Sequence, residues 1–144
     1  MIIDSFQGEY FFLSNFYNAP VEYDGLTYKN NEAAFQSAKC SRIEDRGRFC
    51  NLNPSDAKRL GRKVDLRSGW EEKKEKIMHQ ICLSKFTLNP ELRKALLATG
   101  DAILIEGNDW GDKEWGVVDG VGHNKLGKVL MQVREELRLN EKMS

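Results

Sequence analysis

From Asn53 to Gly100 the sequence writes helix almost without interruption, and that run limits what the whole chain can become. Asn53-Pro54 supplies a capping side chain and a proline at the first helical position, a start signal that Asn89-Pro90 repeats. Between them Ser68-Gly69-Trp70-Glu71 has the form of a capping box, and Trp70, Ile77, Met78, Ile81, Cys82 and Phe86 follow at helical spacing. The pattern predicts a helix from Pro54 to about Leu60 that stops at Gly61, a long central helix opened by Trp70, and a third helix through Leu92, Leu96 and Leu97 that ends near Gly100. Three helices in succession leave no room for the strand–helix alternation of a doubly wound nucleotide fold.

Strand signals are confined to short stretches. Tyr10-Phe11-Phe12-Leu13 is aromatic and apolar, suited to a buried strand that Ser14-Asn15-Phe16 would break. Val21-Glu22-Tyr23 and Leu26-Thr27-Tyr28 flank Asp24-Gly25, a hairpin pattern. Ala102-Ile103-Leu104-Ile105-Glu106 predicts one further strand. The segment 107–127 then carries six glycines and two tryptophans, a loop whose length suggests function and whose rings argue against disorder. Asn124 is placed to cap a closing helix with Leu126, Val129, Leu130, Val133 and Leu137 on one stripe. The expected fold class is mainly α: a compact helical bundle with a small N-terminal β-hairpin and a short strand, forming a single domain over residues 1–144.

Composition narrows the function. Lys and Arg number 22, as do Asp and Glu, so no whole-molecule field gathers nucleic acid or anionic membrane. Cys40, Cys50 and Cys82 form no C-x-x-C pair, and His79 and His123 stand alone, which speaks against a disulfide framework and a bound metal. No apolar run approaches the roughly 18 residues of a membrane span. A cytoplasmic protein without membrane attachment is expected; oligomeric state is not legible.

Chemistry concentrates first in Asn31-Glu32-Ala33-Ala34-Phe35-Gln36-Ser37-Ala38-Lys39, which reads as a capped helix. Glu32, Phe35, Gln36 and Lys39 fall at i, i+3, i+4 and i+7, so a carboxylate, a ring, an amide and an ammonium share one wall. A solvated Glu–Lys face is the plain alternative. Phe35 between the charges argues instead for a partly buried cleft. Glu32 and Lys39 are separated by about 10 Å of helix rise, which a lysine reaching back along the helix can span; without that reach Lys39 would hold a phosphate, and Glu32 with Asp112 would carry the chemistry.

The loop offers two more clusters. Asn108-Asp109-Trp110-Gly111-Asp112-Lys113-Glu114-Trp115-Gly116 sets acids beside rings that could carry a nucleobase. Gly120-Val121-Gly122-His123-Asn124-Lys125-Leu126-Gly127 leads into a helix start that would suit a phosphate, although it matches neither a P-loop nor a dinucleotide fingerprint.

Taken together, Ser14-Asn15-Phe16, the hairpin, Glu32, Phe35-Gln36, Lys39, Gly61-Arg62, Trp70, Lys85-Phe86, Asp112, Trp115-Gly116 and Gly122-x-Asn124-x-Leu126-Gly127 resemble the NADAR family, the YbiA-like N-glycosidases. The resemblance spans about residues 6 to 138. It implies a compact, mainly helical fold and cleavage of an N-glycosidic bond. The substrate would be a phosphoribosylamino-pyrimidine intermediate of riboflavin synthesis, or ADP-ribose joined to guanine in a modified DNA or RNA base. No cofactor is implied. By the resemblance Glu32, Asp112 and Lys39 are the catalytic candidates, and Asn15, Phe16, Phe35, Gln36, Arg62, Trp70, Trp115, Gly116, Gly122, Asn124 and Gly127 line the substrate site. Ala33 stands where some relatives carry histidine or a larger residue.

The chemistry fits those assignments. Positive charge grows at the anomeric carbon as the bond to the base breaks, so a carboxylate beneath the sugar stabilises the transition state, the role expected of Glu32. A second acid, Asp112, would protonate the departing base. Alternatively Lys39 attacks the anomeric carbon and forms a Schiff base with the opened sugar. The rival from another class is a non-catalytic module that binds ADP-ribose or a nucleotide.

Overall fold

The computed structural model describes residues 1–143, and within them the chain packs as two compact units. One is continuous, Asn15–Asn89; the other joins Met1–Ser14 to Pro90–Met143. Helix dominates both. No helix among the described residues is long and apolar enough to cross a membrane.

The continuous unit begins with two antiparallel strands, β1 (Ile2–Ile3) having already passed in the other unit: β2 (Asn18–Tyr23) and β3 (Leu26–Asn30) pair with Val21 opposite Tyr28. Asp24 and Gly25 both take positive φ in the turn, the conformation a tight hairpin link demands. Strand β3 runs directly into α1 (Asn31–Ala38), whose start is fixed by Asn30 Oδ1 accepting from Ala33 N at 2.7 Å. A 3₁₀ segment, Ile43–Phe49, follows where only an irregular tail is expected. Helix α2 (Pro54–Gly61) is capped by Asn53 Oδ1 on Asp56 N, with Pro54 in its first turn.

The longest helix of this unit, α3 (Trp70–Leu88), does not begin in the expected capping box. Gly69 is the N-cap in a left-handed conformation (φ 71°) and no side chain caps the end, because the turn into the helix needs a residue that tolerates positive φ. Tyr28, Phe49, Met78, Ile81 and Phe86 are buried around α1 and α3, each contributing about 1.5–3 kcal/mol if fully removed from water.

In the other unit β1 pairs in parallel with β4 (Ile103–Leu104), setting Ile2 opposite Ile103. The expected strand at Tyr10–Leu13 is instead a 3₁₀ helix, Gly8–Leu13. Aromatic side chains favour strands only where a neighbouring strand receives them, and here Tyr10 N bonds Gln7 O in a turn of its own. Helices α4 (Pro90–Ala98) and α5 (Lys125–Met143) pack through Leu96, Leu126, Leu130, Val133 and Leu137.

Asn124 does not cap α5 with its side chain. Its carbonyl takes the first helical bond from Lys128 N, while Oδ1 accepts from Glu106 N at 3.0 Å and Nδ2 donates to Leu104 O at 2.9 Å. The side chain thus ties the helix start to the end of β4, and Asn124 adopts φ 51° to do so.

Lys85 in the middle of α3 is fully buried, its Nζ lying 5.4 Å from the Tyr17 ring centroid and 5.1 Å from that of Phe86. Burial pulls its ammonium down to about 8 and pushes the neighbouring Cys82 thiol up to about 12. The two act on stability with opposite sign. Above pH 8 folded Lys85 has released a proton that the unfolded chain still holds, so stability rises with pH up to the ordinary lysine value. Above about pH 9 the unfolded chain loses the Cys82 proton that the fold retains, so that contribution falls. Urea midpoints are therefore expected to rise between about pH 7.5 and 9. The Lys85→Met variant should flatten that rise and be the more stable protein at pH 7; a wild-type midpoint that stays level or drops across this window would refute the assignment.

Candidate active site

Every residue of α1 is buried, which is unusual for a helix carrying Asn, Glu, Gln and Ser. The small residues explain how. Ala33, Ala34, Ser37 and Ala38 are at or near zero exposure and let neighbouring elements close on the helix back. Asn15 anchors its start: Asn15 O accepts from Glu32 N at 3.1 Å, and Asn15 Oδ1 accepts from Asn31 Nδ2 at 3.1 Å.

The wall of Glu32, Phe35, Gln36 and Lys39 is formed as its spacing requires, and it is covered rather than solvated. Glu32 is 9 % exposed and its Oε2 accepts from Gln36 Nε2 at 2.5 Å, a short charge-assisted bond. Gln36 is pressed against Gly61 at the end of α2, where a Cβ would collide with Gln36 Oε1. That Oε1 is buried and has no hydrogen-bond donor among the described residues. Phe35 meets Trp70, the first residue of α3, with ring centroids 5.2 Å apart and planes inclined at 51°. Two contacts, Gln36 on Gly61 and Phe35 on Trp70, thus bring the ends of α2 and α3 against α1.

Lys39 caps α1 and is half-buried. Its amine is pulled below the ordinary lysine range, first by burial; the Glu32 carboxylate opposes this, and the cations of Lys74, Arg62 and Lys58 add to it. Lys58 and Lys74 are not legible as site residues from local pattern. Spacing alone offers a signal: Lys74 lies one turn beyond Trp70 and Lys58 one turn before Arg62, so each shares a face with a residue the resemblance marks. Lys74 is buried, with its Nζ 2.7 Å from Glu71, and Arg62 is exposed. Phe16 is 38 % exposed and carries the Lys58 Nζ 6.0 Å from its ring centroid.

The structure therefore gathers Asn15, Phe16, Glu32, Phe35, Gln36, Lys39, Arg62 and Trp70 in the continuous unit. Asp112, Trp115, Gly116, Gly122, Asn124 and Gly127 belong to the other unit, where they hold a loop together. Asp112 Oδ1 accepts from Glu114 N at 3.0 Å and Trp115 N at 2.9 Å, and Asn108 bridges the loop by Nδ2 to Asp112 O and Oδ1 to Asp112 N. Trp115 is half-buried, with Lys125 Nζ 5.9 Å from its ring centroid. Gly122, at φ 154°, passes so close to Gly116 O that no side chain fits. Gly116 and Gly127 likewise abut Glu106 and Leu104 O.

A family model described as the NADAR domain matches residues 4–138, and the chain belongs to that family. The "N-glycosidase YbiA" of Escherichia coli (strain K12) is 37 % identical over 132 residues, covering 89 % of this chain and 82 % of that one. The "N-glycosidase Npun_R5314" of Nostoc punctiforme is 43 % identical over 88 residues, 59 % of this chain and 56 % of that one. The "Riboflavin biosynthesis protein VVA0006" of Vibrio vulnificus is 34 % identical over 134 residues, 88 % of this chain but 35 % of that longer protein. The solved NMR structure of the E. coli protein YbiA matches all of this chain and 88 % of its own, with a TM-score of 0.88 at 34 % identity.

The Asp112 bonds separate two roles by experiment. Asn at this position keeps an Oδ1 acceptor for Glu114 N and Trp115 N but cannot protonate a leaving group. Asp112→Asn is expected to fold with wild-type stability, whereas Asp112→Ala should lose about 1 kcal/mol, as for loss of a helix-capping acceptor. Equal destabilisation of both variants would show that the Oδ1 bonds are not what holds the loop.

Proposed function

We propose that this chain, a glycosidase of the N-glycosyl class, hydrolyses the bond between a base and the ribose of an ADP-ribosyl or phosphoribosyl compound. The observation that carries the reading is the buried carboxylate of Glu32, gripped by Gln36 at 2.5 Å and sharing its wall with the Lys39 amine. A carboxylate away from water acts most strongly where positive charge appears, and an oxocarbenium-like sugar supplies that charge. The exposed ring of Phe16 suits the flat face of a nucleobase.

Two routes share this site. In the hydrolytic one, a water oxygen bonds to the anomeric carbon as the carbon–nitrogen bond breaks. The base leaves with the bonding pair and takes up a proton, while the attacking water gives one up. In the covalent one, the Lys39 lone pair attacks the anomeric carbon as the base leaves; the sugar ring opens to an imine, and water releases it to restore the amine. The Vibrio relative, of which this chain covers 35 %, is named for riboflavin biosynthesis, and the family resemblance carries both a phosphoribosylamino-pyrimidine and ADP-ribose on guanine as candidate substrates.

Incubation with ADP-ribosylated guanine oligonucleotide and with the phosphoribosylamino-pyrimidine should release base from at least one of them. Glu32→Gln should lower that rate at least about a hundredfold while product still binds. Binding without turnover of either compound would replace the enzyme by a binding module.

The pH profile distinguishes the routes. If Lys39 is the nucleophile, only its free amine reacts, so the rate rises with pH through the lowered lysine value, and borohydride traps a reduced adduct on Lys39. If Lys39 serves as a cation, the rate falls through the same value and no adduct forms.

A further inference from the structure

Glu32 is the second residue of α1, so no carbonyl of its own helix can take its N–H. Asn30 Oδ1 answers Ala33 N, whereas Glu32 N donates out of the helix to Asn15 O at 3.1 Å. The place of the Glu32 backbone is therefore set by Asn15. Asn15 lies outside any helix or strand, between Gly8–Leu13 and β2, and its side chain ties it to the helices. Its Oδ1 accepts from Asn31 Nδ2 at 3.1 Å, and its Nδ2 donates to Met78 Sδ at 3.6 Å. Asn31 Nδ2 also donates to Cys82 Sγ at 3.6 Å.

Asn31, Met78 and Cys82 are each no more than 1 % exposed, and the two sulfur residues stand one turn apart on α3. Sulfur is a weak acceptor, so these contacts aim the two amides more than they stabilise them. The Asn31 oxygen, Oδ1, is buried and has no donor among the described residues. An apolar side chain of the same size would avoid that cost, so packing alone does not account for an amide at this position. What the amide adds is the donor that holds Asn15.

We propose that Asn31 is a positioning residue for the Glu32 carboxyl, acting through Asn15, with Met78 as the second anchor. The proposal rests on the glycosidase reading, in which that carboxyl faces the sugar. Glu32 is held at two points, its backbone by Asn15 O and its side chain by Gln36 Nε2. Freed at the first, the residue turns about the second, and a displacement of about 1 Å at a reacting group costs up to about a hundredfold in rate. Buried as it is, Asn31 acts on the substrate only through Glu32.

Two variants of the full chain test this. Asn31→Leu keeps the volume and removes the donor, and Met78→Leu removes the thioether acceptor. On whichever of the two candidate compounds turns over, Asn31→Leu should lower kcat about tenfold or more and leave KM within about twofold, with a smaller loss of kcat in Met78→Leu. Native-state hydrogen exchange gives a second readout that needs no substrate. The Glu32 amide should lose protection in Asn31→Leu while the amides of Ile81 and Phe86 in α3 keep theirs. Should Asn31→Leu not fold, Met78→Leu carries both comparisons. Wild-type kcat in the folded variants, or protection lost equally at Glu32, Ile81 and Phe86, overturns the positioning role. Selective exposure of the Glu32 amide without turnover of either compound by the wild type would sink the glycosidase reading alone.

Discussion

The continuous unit depends on the burial of one short polar helix. With only eight residues, α1 would not persist alone in water, since helices of that length lose more in nucleation than their hydrogen bonds return. It persists because Asn30 caps it, Asn15 holds its first residues, and small side chains let its neighbours approach. The arrangement has a chemical consequence. A buried carboxylate and a half-buried amine, each solvated poorly, respond to one another and to nearby cations far more than the same groups would on a wet surface.

Packing and chemistry use the same contacts. Gly61 admits the Gln36 side chain, which in turn grips Glu32; Trp70 packs on Phe35 and, one turn later on the same helix, places Lys74 in electrostatic reach of Lys39. A change meant to alter packing at either contact would therefore also change the charge environment of the wall. The other unit is organised differently, through a polar side-chain lattice in which Asn124, Asn108 and Asp112 replace regular hydrogen-bond ladders. Gly107, Gly116, Gly122 and Gly127 sit where backbone lies against backbone, while Gly111 and Gly120 have open space around them and take positive φ.

What could be read from the sequence follows how local each signal is. The starts of α1 and α2 are legible because Asn30 and Asn53 cap them within a single turn; α4 begins at Pro90 as expected, yet Asn89 Nδ2 donates to Lys85 O and Pro20 O instead of capping it. The 3₁₀ segment at Gly8–Leu13 and the two-residue strand β1 were beyond such signals, since β1 exists only through a partner a hundred residues away and the aromatic run lacks a strand to pair with. Asn124 shows a subtler failure. Its position at the head of α5 was legible, but its side chain serves β4 instead of the helix, a tertiary choice no local rule contains. In the site, the one-wall spacing of Glu32, Phe35, Gln36 and Lys39 was legible from period alone. Lys58 and Lys74 were not, because lysines on α2 and α3 look like ordinary solvated faces until packing sets them beside Lys39.

The long helix rise between Glu32 and Lys39 turns from an obstacle into an argument. At about 10 Å of rise the two groups meet only through the reach of the lysine side chain, and the Glu32 carboxylate works against the burial that lowers the Lys39 amine. Glu32 has the amide of Gln36, which orients it without neutralising it. Lys39 has cations on two flanking helices, which disfavour its charge without giving it a hydrogen-bonding partner. One end of the helix thus holds a buried carboxyl group and the other end makes a positive charge costly. A sugar lying along this wall would meet a carboxyl group at one end and an amine of lowered basicity at the other, the two groups on which chemistry at a bond between sugar and base would draw.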